Sequence, residues 1–339
     1  MLLSKDWQID PRVRKEVRTL TEAGYDVAVL DMASQQEGAG IVSTVKRLAR
    51  FQLRCLRESR KAEFDVVHAH DFDTLMAGVL IAKLKGVPLV YDAHESYSHM
   101  VADKVPEDVT RIMNWIERKL TKQANHIILA NEKIGPLVSV EPQKWVVVMN
   151  CPGELNREPK DGRDNFTLGY FGSLERGRFI QGLIDAVKMV DGWQVVIAGK
   201  GSLKLDGLDD AKVKYLGHVH PSRIPALMGR CDLLSVMFED GNANDRIGTP
   251  NRLFEAMALG IPVVANGNSY SGEITRQTDC GFTITPKMHP LTSLLQCLAR
   301  EPEKMKQKGN AAYEAWRTRY NWETQETKLI ELYNGIAGG

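Results

Sequence analysis

The chain has 339 residues, 43% hydrophobic and 26% charged, a composition that fits a globular protein with material for two domains of ordinary size. Its 44 Lys and Arg against 43 Asp and Glu leave a net charge of +1, so there is no global attraction to nucleic acid. Five cysteines, none spaced C-x-x-C, speak against a disulfide framework or a zinc site, and no apolar run approaches the ~20 residues that span a bilayer.

Met1–Leu3 is short for a first strand, which leaves open a start a few residues upstream; MLLSKDW itself has no signal-peptide pattern. A helix is expected from about Pro11 to Ala23, stopped by Gly24, with YDVAVL as the next strand. After a long basic helix come the strand DVVHAH (65–70), a helix over about 73–85, LVYDAH (89–94), a helix near 106–123, HIILA (126–130) and WVVVMN (145–150). Short apolar runs alternating with helices are the pattern of a parallel sheet buried on both faces. The polar, Pro- and Gly-bearing stretch 151–165 reads as a linker. A second series then follows, with strands at TLGYFG (167–172), WQVVIAG (193–199), VKYLG (213–217), CDLLSVMF (231–238) and IPVVAN (261–266). The expectation is two doubly wound, Rossmann-like α/β domains, 1–152 and 167–318, joined by 153–166 and followed by a C-terminal helix over 319–339 packing back towards the first domain. Ligands of such sheets bind outside the carboxyl ends of the strands, so a cleft between two of them is the default site.

The stretch DRIGTPNRLFEAMALGIPVVA (245–265) carries the most chemistry. Thr249 suits an N-cap, Pro250 the first helical position and Gly260 the stop. Yet the first turn holds Asn251 and Arg252 and no acid, although free N–H groups there carry partial positive charge. A bound phosphate would reverse the sign of that conflict, and Gly248–Thr249 lets the backbone approach a ligand. Glu255 shares a face with Asn251 and Arg252. It can accept two ribose hydroxyls, or simply pair with Arg252 on the surface.

PNRLFEAMALGIPVVA resembles the signature of retaining glycosyltransferases of GT-B fold, family 4 (group 1). HAHDFDTLMAGVLIAKLKGVPLVYDAHE, LGYFGSLERGRFIQGLIDAV and VVIAGKGS are similar to other segments of that family, so the resemblance covers nearly the whole chain. It implies a C-terminal domain that binds a nucleotide-diphosphate sugar, with no cofactor and no metal. Glu255 matches the second acid of the family's E-(seven residues)-E motif and would hold the ribose. The first acid is replaced by Ile247, so the sugar hydroxyls would need another partner, such as Asp245 or the backbone N–H groups of 247–249. Arg178 and Lys200 match the basic pair that grips the diphosphate. Gly172 and Ser173, after a strand end, would offer N–H groups to a phosphate, with Gly248, Thr249 and Asn251 at the helix start. The loop 216–219, with His218 and Val219, would read the base through its backbone. His94 matches the family histidine beside the reacting sugar; Asp92 and Glu95 are weaker candidates.

HAHDFD (68–73) offers His68, His70, Asp71 and Asp73 as metal-ligand types. The preferred reading instead has His70 and Asp71 lining the acceptor side and Asp73 capping the next helix. The helix over 43–61 carries seven basic residues against one acid, Glu58, with apolar residues at helical spacing. It is expected either to touch an anionic membrane or to pack with a solvated basic face. The expected location is cytoplasmic, with at most peripheral contact at the inner membrane surface. The expected partners are a nucleotide sugar and a hydroxyl acceptor, and no nucleic acid. Competing readings are a sugar-nucleotide 2-epimerase and a binding subunit that lost catalysis with Ile247.

Overall fold

The computed structural model describes residues 1–32, 41–102, 105–139, 141–157, 165–239, 241 and 246–338. The chain divides into two units, Met1–Asn150 with Gln325–Gly339, and Cys151–Thr324.

The first unit is a six-stranded parallel sheet, β1 (Leu2–Leu3), β2 (Leu30–Asp31), β3 (Val67–His70), β4 (Leu89–Ala93), β5 (His126–Leu129) and β6 (Trp145–Val147), in the order β2-β1-β3-β4-β5-β6. Helix α1 (Pro11–Glu22) starts at an Asp10 cap whose carboxylate accepts from the N–H groups of Arg12 and Val13. Gly24, with φ 93, turns the chain after the helix. Helices α2 (Ile41–Ser59) and α3 (Asp71–Lys85) follow, then a short turn α4 (Tyr97–Met100), α5 (Glu107–Thr121) and a second short turn α6 (Gly135–Val138). Of the 25–30 run only Leu30 pairs, with Asp31 just beyond it, and strand pairing in the 145–150 run ends at Val147. Asp73 does not cap α3: it lies in the helix's first turn and accepts from Ser4 Oγ at 3.0 Å, and His70 stands at the cap position with no side-chain cap bond.

The second unit repeats the plan with β7 (Phe166–Phe171), β8 (Trp193–Ala198), β9 (Val213–Tyr215), β10 (Leu233–Ser235), β11 (Val263–Asn266) and β12 (Gly281–Ile284), all parallel, ordered β12-β11-β10-β7-β8-β9. Its helices are α7 (Ile180–Lys188), α8 (Ile224–Gly229), α9 (Asn251–Ala258), α10 (Tyr270–Thr278), α11 (Met288–Arg300), α12 (Glu303–Thr318) and the start of α13 (Trp322–Ala337). The core gathers Leu168, Leu183, Val187, Trp193, Ile197 and Leu295, and the buried Trp193 ring donates its N–H to Leu295 O at 3.0 Å. Strand β12 is not among the runs read from the sequence. Four half-buried residues at a sheet edge give too short a pattern to stand out.

The helix at 250–259 begins one residue later than expected. Pro250 is its cap, at φ −64 and ψ 136, and has no side chain to accept a bond, so Thr249 is not the cap. A residue before proline is biased towards extended backbone, which keeps Thr249 outside the helix. Gly260, with φ 61, ends it as expected.

Candidate active site

In the second unit the expected site residues gather where β7, β8, β9 and β10 end. Leu174 N donates to Lys200 O at 3.0 Å and Gly199 N to Gly217 O at 2.8 Å, so the loops after β7, β8 and β9 lie side by side. Gly172 O sits so close to Gly199 that a Cβ there would meet it at 1.8 Å; only glycine fits. Ser173 and Lys200 are exposed, and Gly172 is half-buried. Arg178 spans towards the end of β10: its guanidinium lies 4.2 Å from the centre of the Phe238 ring, and Glu239 N donates to Gly177 O at 2.8 Å. His218 is exposed and Val219 half-buried on the loop that Gly217 turns at φ 63.

The start of α9 joins the same edge. Arg252 Nε donates to Phe171 O at 3.2 Å, tying the helix to the end of β7. Gly248 O accepts from Ser271 Oγ at 3.1 Å, so the approach to the helix is anchored on α10. Thr249 is half-buried and Asn251 exposed. Pro250, at the cap, offers no side-chain hydrogen bond to the helix start. Glu255 is partly exposed and is paired with Arg252, so the carboxylate expected to meet a ribose has a protein partner here. Position 247 is a half-buried isoleucine, and Asp245 lies outside the described residues.

In the first unit the sequence points to His94 but not to the network beneath it. Register places His70 beside Asp92 on neighbouring strands. Helix α1 lays Arg12 and Glu16 over them, and Tyr333 Oη of α13 shares a hydrogen bond with His68 Nδ1 at 2.8 Å. Arg12 grips Asp92 with two bonds, Nε to Oδ2 at 3.0 Å and Nη2 to Oδ1 at 2.7 Å, and gives a third to Val148 O at 2.8 Å. All of these side chains are buried. His70 is therefore an interior residue and does not line an acceptor surface, because its ring faces Asp92 and Glu16. His94 and Asp71, at the strand ends, keep 16% and 18% of their side chains exposed and are where this network reaches the surface.

The pKa shifts follow the burial. Desolvation, and second the neighbouring Asp92, push Glu16 up to about 8. Desolvation takes His68 down to about 3 and His70 down to about 4. Burial would also lower His94, but Asp71 and Asp92 outweigh it and raise the ring to about 9. Burial alone would raise Asp92; Arg12 and the histidines hold it well below the usual carboxylate range. Glu16, His68, His70 and Asp92 each bring one ligand-type atom within 4.8 Å of the others. The guanidinium of Arg12, 3.0 Å from both Glu16 Oε1 and Asp92 Oδ2, already stands where a metal would put its charge. The network reads as an ionic one. A sequence signal for it existed in the i, i+4 pair Arg12 and Glu16 on a buried helix face.

Two parallel Rossmann-like sheets, the second with glycine-bearing loops and a proline-started helix at its carboxyl edge, define the GT-B class. The model described as Glycosyltransferase Family 4 matches residues 12–135, and the one described as Glycosyl transferases group 1 matches residues 165–299. The chain belongs to the group 1 glycosyltransferases and is an enzyme of that class. Glycogen synthase of Mycobacterium tuberculosis is 23% identical over 310 residues, covering 84% of this chain and 72% of that protein. Among solved structures, sucrose-phosphate synthase from Thermosynechococcus elongatus aligns with a TM-score of 0.80 at 15% identity over 99% of both chains. Anabaena HepE in complex with UDP-glucose aligns at 0.73 and 18% identity over 98% of both.

Proposed function

We propose that the protein moves a sugar from a nucleotide-diphosphate sugar to a hydroxyl acceptor, with retained anomeric configuration and without a metal. The observation that carries this reading is the meeting of the 172–178 and 199–203 loops with the start of α9 at one sheet edge. The helix start and the Gly172–Ser173 backbone supply N–H groups for a diphosphate, and Arg178 and Lys200 supply fixed cations for the leaving group. Glu255 takes the ribose, exchanging Arg252 for two hydroxyls. Val219, beside His218, contacts the base, while Gly248 and Thr249 let the diphosphate approach the helix at Asn251. His94 serves the reacting sugar.

The UDP-glucose bound to Anabaena HepE makes that compound the first donor to try. Proton NMR of the reaction with an acceptor panel should show a product with the donor's anomeric configuration, at a rate that excess EDTA leaves unchanged. An inverted product, or loss of turnover in EDTA, contradicts the mechanism. A new epimer of the donor without acceptor would instead mark an epimerase, and donor binding with no turnover or hydrolysis would mark a binding subunit.

Peripheral contact with an anionic membrane through residues 43–61 belongs to the same reading. Supporting it, α2 packs beside α3 and α3 beside α5. This layer exposes Val45, Leu53, Leu80, Leu84, Ile112 and Trp115 among the basic side chains of α2 and α5. Among the described residues no helix is long and apolar enough to cross a membrane. Flotation with vesicles should show binding only when anionic lipid is present; equal binding to neutral vesicles removes the idea.

A further inference from the structure

His94 has a carboxylate at each ring nitrogen. Nδ1 lies 3.4 Å from Asp71 Oδ2, and Nε2 lies 3.3 Å from Asp92 Oδ2. A neutral imidazole has one N–H, and would turn a lone pair towards one of those anions. A doubly protonated ring faces both anions, hydrogen-bonding to Asp92 through Nε2 and pairing with the charge of Asp71 at Nδ1. Asp71 is held in place to accept from the ring, since its other oxygen accepts from the backbone N–H of His94 at 3.4 Å. Its backbone holds φ 61, a left-handed conformation that a non-glycine residue keeps only when its surroundings enforce it. Asp92 is fixed from below by Arg12.

Among the described residues, Glu16 also interacts with the charge of the ring, and other charged and titratable groups lie nearby. Lys5, from the segment after β1, lies 3.8 Å from Asp71 Oδ2. His70 of β3 places Nδ1 3.4 Å from His94 Nε2 and also faces Asp92. Glu16 of α1 lies nearer Arg12 and His70, and Tyr333 of α13 bonds to His68.

We propose that Asp71 and Asp92 are positioning residues that clamp His94 as an imidazolium, with Arg12 fixing Asp92, so that His94 brings a cation and not a base to sugar transfer. The last step rests on the reading of His94 as a site residue. With both ring nitrogens protonated, the ring cannot accept the acceptor hydroxyl's proton. It acts on the reacting sugar through its charge.

The test is nitrogen-15 NMR of the full chain with labelled histidine, His94 assigned by loss of its signals in His94→Gln. Asp71, the partly exposed carboxylate, is the one to change; Asp92 is too deeply built into the interior. The ring should carry both protons at pH 7.5 and titrate near 9. Asp71→Asn should lower that midpoint by about one to three pH units, and Asp71→Glu should restore it in part. In turnover, Asp71→Asn should lose about tenfold in kcat/KM at pH 8 and recover towards pH 6, where the ring recharges. A purely structural role would depress the rate equally at every pH, and that result overturns the proposal. So does a neutral ring at pH 7.5, or a midpoint that Asp71→Asn leaves in place. A ring that titrates as stated in a chain with no measurable transfer supports the clamp and counts against the glycosyltransferase reading alone.

Discussion

Glu255 shares its carboxylate with Arg252, so a ribose bound there as proposed would have to displace a guanidinium. The exchange costs little because the pair is partly exposed, and such pairs contribute at most about 1 kcal/mol. Glu255→Ala should therefore change stability little, yet abolish most of the thermal stabilisation that a nucleotide sugar gives the parent. A saturating ligand at 100 times its Kd adds about 2.7 kcal/mol, a shift easily read by calorimetry. Glu16 is the opposite kind of carboxylate, buried and pushed up to about 8 by desolvation and by Asp92. A folded-state pKa above the unfolded one means stability that is present at low pH and is lost as pH rises towards the folded value. Compared with Glu16→Gln, the parent should lose ground between about pH 4.5 and 8, by up to about 1.4 kcal/mol per pH unit. A Tm difference between the two that stays flat over this range would show that Glu16 does not hold its proton.

Among the elements, the loops after β7 and β8 are locked by a contact that no side chain can enter. In Gly199→Ala the new Cβ would meet Gly172 O at 1.8 Å, so one loop must move. The expected result is destabilisation by a few kcal/mol with loss of nucleotide binding; a variant that binds and melts like the parent would mean the loops give way freely. The elements are unevenly legible in the sequence, for physical reasons. Helix α9 announces itself through a turn with Arg252 and no acid, because backbone charge and side-chain charge are both readable from order along the chain. Its cap stands one residue from the expected position because Pro250 suits either side of a helix boundary. His94 is visible only as a family match. Its two carboxylates come from β4 and from the left-handed first residue of α3, and strand register, which sets such neighbours, is not written in any local pattern. The same holds for His70, which the sequence puts at a strand end lining the acceptor side and which is interior because the adjacent strand carries Asp92.

At the scale of the molecule, each unit has its own parallel sheet and its own chemistry. One gathers backbone N–H groups, glycines and cations at a strand edge; the other buries an array of acids and histidines that surfaces at His94. Alternating strands and helices are enough to show both sheets, since period and length survive without tertiary information. Substrate identity is not legible in this way, because backbone N–H groups serve many anions and leave no side-chain code. The proposed chemistry depends on the second unit holding a nucleoside diphosphate with Lys200 against it. Isothermal titration of nucleoside diphosphates into the parent and Lys200→Ala measures this directly. One diphosphate should bind per parent chain, and the variant should bind it about 10- to 100-fold more weakly, the loss expected for one charged hydrogen bond. No binding of any diphosphate to the parent, or equal affinity in the variant, would contradict it.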